Sequence, residues 1–238
     1  MKKFYSTFLA LLFLVSLPAL AQKGLYFGIA GTAQSTWITN QNNYGLPDMD
    51  YKTTFGGAAN LNAGFDFTNH IGIKIEIGYG KYGQKSTDTR DSSTFDRDIK
   101  LNYLTIPIMF KYRVGGPLIK FYIAIGPQFN MLMAAKQTYT KNGLPYLDDV
   151  DDTVTGSTFK IGKEEIKERF SSMDVFARMD LGLDITLIRH LMIEFGIKLG
   201  YGLMDLNATN YHIKDYSGTY HPSHNAFGGL TLGLNYRL

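Results

Sequence analysis

The 238-residue chain has no cysteine, which removes disulfide frameworks, thiolate zinc sites, iron–sulfur clusters and cysteine nucleophiles together. Charge is scarce as well. Only 19% of residues are charged and the formal balance is +3, so the electrostatic footprint of a nucleic-acid binder is missing. No apolar run reaches the 18 or so residues that a spanning helix needs. Neither a phosphate loop nor a G-x-S-x-G nucleophile elbow occurs. What the chain does have is 45% hydrophobic residues, 14% aromatics and 25 glycines, a content too apolar for disorder.

Residues 1–21 read as a signal peptide. Lys2 and Lys3 form a basic start, Phe8 to Leu17 is the apolar run, and Ala19-Leu20-Ala21 supplies small residues at the cleavage site. The mature domain then spans 22–238, and loss of the two lysines leaves it almost neutral. The exported chain is expected to carry no helix across a membrane.

Beyond the leader the dominant period is two. Ile71-Gly72-Ile73-Lys74-Ile75-Glu76-Ile77 alternates large apolar residues with Gly, Lys and Glu. Eight such strands are expected at 24–36, 54–67, 71–85, 99–114, 118–135, 172–187, 191–203 and 225–238. Tight turns at Thr68-Asn69-His70, Gly115-Gly116-Pro117 and Ile188-Arg189-His190 alternate with long loops at about 39–53, 86–98, 137–171 and 204–224. Short turns at one end and long loops at the other match transmembrane β-barrels, in which the short turns are periplasmic. The expected fold is an all-β, eight-stranded antiparallel up-and-down transmembrane barrel forming one domain.

Facing follows from bulk and charge. Strand five sets Ile119, Phe121, Ile123 and Ile125 on one parity, and strand seven sets Leu191, Ile193, Phe195 and Ile197, with no charge among them. Eight rows of this size would overfill a narrow bore. The opposite parity is rich in glycine and carries Lys74, Lys111, Arg113, Lys120, Arg178, Lys198 and Arg237 against Asp66, Glu76, Asp174, Asp180, Asp184 and Glu194. Enclosed charges must pair, because unpaired burial costs several kcal/mol per ion. These thirteen residues are therefore assigned to a plugged polar lumen, and the apolar face to outer-membrane lipid. Open pores need about sixteen strands. Tyr79, Tyr82, Tyr112, Phe129, Tyr201 and Tyr236 fall near strand ends, where an interfacial belt is expected.

Tyr103-Leu104-Thr105-Ile106-Pro107-Ile108-Met109-Phe110-Lys111-Tyr112-Arg113, followed by Tyr122-Ile123-Ala124-Ile125-Gly126-Pro127, resembles the central hairpin of the PorT-like outer-membrane barrel family of Bacteroidota. The resemblance implies an eight-stranded outer-membrane barrel and, from the family's best-known member, an accessory role in type IX protein secretion. With Gly116-Pro117 as the tip, Val114 is expected opposite Ile119 and Pro107 opposite Gly126, while Arg113 lies beside Lys120. Pro107 leaves a sheet hydrogen bond unmade, so a bulge or a polar side chain is expected to compensate.

Chemistry is thinly signalled. His212, His221 and His224 share the last long loop with Asp215 and Ser217, but in no metal or hydrolase spacing. Asp148-Asp149-Val150-Asp151-Asp152 lacks the glycine and distal glutamate of a calcium loop. Ile161 to Phe170 has helical composition with opposite charges at i, i+3 and i+4. The reading is a non-enzymatic surface-presenting barrel with no cofactor, whose partners are lipid and envelope or secretion proteins met through the loops. A lipid-modifying enzyme is the further alternative.

Overall fold

Alternation with a period of two becomes eight long antiparallel strands in the computed structural model. It describes residues 24–39, 49–90, 92–146, 148–152, 157–161, 164–212, 214 and 218–238. The expected leader, Asp215 and Ser217 lie outside these. The strands are β1 Leu25–Thr39, β2 Thr54–Asp66, β3 Ile71–Arg90, β4 Ser93–Gly115, β5 Ile119–Lys141, β6 Met173–Ile188, β7 Leu191–Gly202 and β8 His224–Arg237. Each pairs with its successor, and β8 returns to β1 from Tyr26↔Arg237 to Thr39↔His224. The sheet is a closed ring, so these strands satisfy their backbones without exposing an edge to lipid.

The two parities separate as charge and bulk dictate. Ile75 is 47% exposed and Ile29 58%, whereas Lys74 and Lys111, on inward positions, have no exposure. The outward apolar band ends abruptly. Outward positions change from Tyr79 to Lys81 on β3, from Leu104 to Lys100 on β4 and from Met133 to Lys136 on β5, which marks the upper edge of the lipid contact.

β3, β4 and β5 continue far past that edge. At roughly 3.4 Å per residue, the 23 residues of β4 extend about 75 Å, against an apolar band about 25 Å tall. The expected loop 86–98 is therefore a correction: β3 and β4 run through it as one hairpin paired from Lys85↔Asp98 to Arg90↔Ser93. Beyond the apolar band the inward face stays buried at Gln84, Ser86 and Asp88 but carries polar side chains, so hydrophobic alternation disappears although the strand does not. Met49–Lys52 adds a short strand to β3 at Lys85 to Asp88. Leu144–Pro145 adds one to β5, and Asp148–Asp152 pairs with Ser157–Ile161.

Two further expectations change. Among the described residues, Ile161 to Phe170 contains a single 3-10 turn, Lys167–Arg169, instead of a helix. The segment is held by the barrel: Gln137 N–H donates to Glu164 O at 2.8 Å, Ile166 N–H to Ala135 O at 3.0 Å, and Ile166 is fully buried. Tertiary burial outweighs the modest gain from helical charge pairs. The β4–β5 register is also two residues from that expected, with Val114 opposite Phe121, Pro107 opposite Gln128 and Arg113 opposite Tyr122. The tip comprises Gly116, Pro117 and Leu118, entered through Gly115 at a φ of 137°, which favours glycine.

Pro107 causes no bulge. Pairing skips Glu76 and Ile77 on the β3 side and Ile108 and Met109 opposite Pro127 and Gly126 on the β5 side, while the register continues unchanged. A true bulge lies higher. Tyr103↔Leu132 is followed by Asn102↔Ala134, so Met133 is an extra residue and the parity of β5 inverts beyond it. Leu132 faces inward, and so do Ala135 and Gln137.

Candidate functional site

The lower bore is filled by a chain of alternating charges. At the tight-turn end Asp66 accepts from Arg237 Nη2 at 2.7 Å and also from Arg113. Arg113 Nε donates to Asp184 at 2.6 Å, and the other oxygen of Asp184 takes Lys111 Nζ at 2.8 Å. Lys111 reaches Glu194 at 2.8 Å, Glu194 reaches Lys74 at 2.7 Å, and Lys74 lies 2.9 Å from Glu76. Glu76 also holds Arg178 at 3.0 Å and Lys198 at 3.4 Å. Arg178 then grips Asp180 through two parallel 2.8 Å bonds, the strong fork geometry of a guanidinium on a carboxylate.

Twelve of the thirteen expected lumen residues cluster from this chain to the lower mouth; Asp174 sits apart near the upper end, where Asn225 Nδ2 donates to it at 3.1 Å. No lysine or arginine pairs with Asp174 among the described residues. Lys120 has no carboxylate partner there either, and its ammonium donates to the Asn69 carbonyl at 3.0 Å. It is not beside Arg113 across the hairpin, since Gly115 occupies its register position.

Inward glycines give seats to inward rings. A Cβ on Gly182 or Gly196 would come within 2.8 or 2.7 Å of the Tyr122 hydroxyl, and one on Gly64 would strike the Tyr26 ring. Lys111 Nζ rests 3.9 Å from the Tyr122 ring centre, a cation–π contact inside the bore.

The upper bore is closed differently. Arg178 donates to Gln128 at 3.1 Å and Gln128 donates to the Tyr82 hydroxyl at 3.0 Å. Above them Tyr82 meets Tyr103, Phe176 and Phe227 edge-on at 5.5 to 5.7 Å. Leu101, Leu132, Ile166, Phe170 and Leu206 complete an apolar plug. Tyr82 is thus not part of an interfacial belt, whereas Tyr79, Tyr112, Tyr201 and Tyr236 do face outward and Phe129 is half-buried. The missed signal is parity: Tyr82 shares it with Glu76, and Phe176 with Arg178.

The loop histidines are divided among separate contacts. Asp205 accepts from the Tyr220 hydroxyl at 2.6 Å and lies 3.0 Å from His212 Nε2; its second oxygen accepts Asn207 and Ser223 N–H groups at 3.1 Å. His212 stacks on Tyr220 with centroids 4.0 Å apart. His224 Nδ1 lies 3.1 Å from Met204 O. Among the described residues no three His, Asp or Glu side chains are grouped to hold a metal ion. On the hairpin extension the Thr87 hydroxyl donates to Asp96 at 2.6 Å. This bond, with the Lys52 ammonium beside it, holds the Asp96 carboxyl below its usual range.

A closed eight-stranded ring with a lipid-facing apolar band and a charge-filled bore defines an outer-membrane β-barrel. Residues 20–208 match the family model of the outer membrane protein beta-barrel domain, and the chain belongs to that family. The protein is located in the outer membrane. No curated protein matches it. Among solved structures it is similar to Neisserial surface protein A, at 13% identity over 91% of this chain and 98% of that one, TM-score 0.45. It is also similar to OprG from Pseudomonas aeruginosa, at 10% identity over 90% and 95%, TM-score 0.46. A major outer membrane protein from Thermus thermophilus shares 14% identity over 91% and 100%, TM-score 0.46.

Proposed function

We propose that this protein is a non-enzymatic outer-membrane barrel that presents a rigid extracellular sheet for envelope structure, adhesion or protein interaction. The observation that carries the reading is the continuation of β3, β4 and β5 beyond the lipid edge, with both lateral edges covered. Met49–Lys52 pairs on β3, and the segment from Glu164 to Ser172 bonds to β5. A covered edge resists indiscriminate strand pairing, so recognition falls to side chains on the faces. The bore is filled twice over, by the charge chain and by the aromatic plug, which favours display over solute passage.

Photo-crosslinking in whole cells tests this. A probe at Thr138 on the extension is expected to capture protein, and one at Leu232 on the barrel wall only lipid. Equal capture at both positions, or solute flux through reconstituted protein in a liposome-swelling assay, would count against it.

The β4–β5 motif supports a second reading, an accessory of type IX secretion in the PorT-like manner. Deleting the gene and assaying secreted cargo decides it, with unchanged secretion removing the idea. Among the described residues the Asp205–His212 pair supports a lipid-modifying role, and an unchanged lipid A mass spectrum in a His212→Ala strain would remove that.

A further inference from the structure

The charge chain is unequally supplied along the bore, and the shortage of carboxylates falls at the periplasmic mouth. Asp66 is shared by Arg113 and Arg237, and Asp184 by Arg113 and Lys111. Lys120 stands directly opposite Asp184 in the β5–β6 register, the position where a cross-strand ion pair would form. Both oxygens of Asp184 are already engaged from the other side, at 2.6 and 2.8 Å. Lys120 is left with one backbone carbonyl, that of Asn69. Asp174, which pairs with no lysine or arginine among the described residues, lies at the opposite end of β6 and cannot compensate.

This uncompensated cation opens onto a cavity of about 440 Å³ lined by Asn69, Arg113, Lys120, Asp184 and Arg237. We propose that the periplasmic vestibule is a binding site for a carboxylate-bearing ligand, held by the Lys120 ammonium with Arg237 beside it. A carboxylate fits better than a phosphate because Asp184 forms part of the wall and Asp66 lies behind it. One negative charge matches the local excess, while a dianion meets added repulsion at close range. The volume admits either a small free carboxylate or the last residues of a peptide.

The test uses the mature protein folded in detergent micelles, with lysines carrying carbon-13 methyl groups and the Lys120 resonance assigned by its loss in Lys120→Gln. Lys120→Arg serves for assignment if the Gln variant fails to fold. Probes are sodium acetate, a dialanine peptide with a free C-terminus, the same peptide amidated, sodium phosphate and sodium chloride, at matched ionic strength. The expected result is a saturable shift of the Lys120 signal with acetate and with the free peptide, and none with the amide. Tighter binding of the free peptide than of acetate identifies a chain end as the source, and equal binding a free carboxylate. Either supports the site. A shift that is linear, that chloride or the amide reproduces, or that phosphate saturates as readily as acetate would overturn the proposal.

Discussion

The two halves of the bore occupy the same pleat positions, inside the same ring, and are filled by opposite chemistry. Below, carboxylates bridge cations from Arg237 to Asp180; above, Tyr82, Tyr103, Phe176 and Phe227 pack against Leu101, Ile166 and Leu206. The lower filling is directional. Each carboxylate oxygen of the charge chain has an assigned donor, so removal of one group strands several others. The upper filling is non-directional and fails in proportion to the volume removed. The contrast teaches that an inward position demands satisfaction of its neighbours, not a particular polarity.

The sharpest break is expected at Glu76, the carboxylate shared by Lys74, Arg178 and Lys198. Glu76→Leu should destabilise the barrel by about 3–5 kcal/mol, the usual cost of breaking a buried pair. Urea unfolding in detergent, followed by heat-modifiable migration, measures it. Phe176→Ala in the plug should cost about 3 kcal/mol by cavity formation, with no loss of the lower charge chain, which lysine resonances would report.

A finer comparison uses the ring seats. A Cβ on Gly200 would fall 2.1 Å from the Phe227 ring, so Gly200→Ala should cost about 1–3 kcal/mol through overpacking. Combining it with Phe227→Leu should recover much of that loss, and strict additivity in the double-mutant cycle would refute the contact. The smallest effect belongs to Asp96, outside the bore. Its folded pKa is depressed, so the stabilisation is complete above the ordinary aspartate value of about 3.9 and is lost as pH falls through the folded value. Amide exchange in the 85–98 hairpin should accelerate at that acid limit, and Thr87→Val should shift the acceleration to higher pH.

The ring, its facing and the tight turns at one end could be read directly from residues such as Ile73, Lys74 and Ile75, because lipid on one side and ions on the other give period two its greatest contrast. That contrast ends at Lys81 and Lys100. Beyond them the buried positions Ser86 and Asp88 are as polar as Thr87 between them, so the extension reads as a loop. The β4–β5 register escaped because Gly115 and the tip allow more than one closure. Tyr82 and Phe176 escaped for another reason: aromatic residues suit both a membrane interface and an inner seat, and only their shared parity with Glu76 and Arg178 separates the two. The unmatched Lys120 could not be recognised until it was known which neighbours Asp184 had already taken.

The order in which the charge chain is strung across the strands bears on biogenesis. Lys74, Lys111 and Arg113 come from β3 and β4, whereas Asp184 and Glu194 come from β6 and β7. A nascent sheet holding only the first five strands has Asp66 and Glu76 but not yet Asp184 and Glu194, and so carries surplus positive charge. Such a half-made wall is poorly suited to hydrocarbon until the later strands swing round. The same side chains that block the finished tube thus make an unclosed sheet costly to insert.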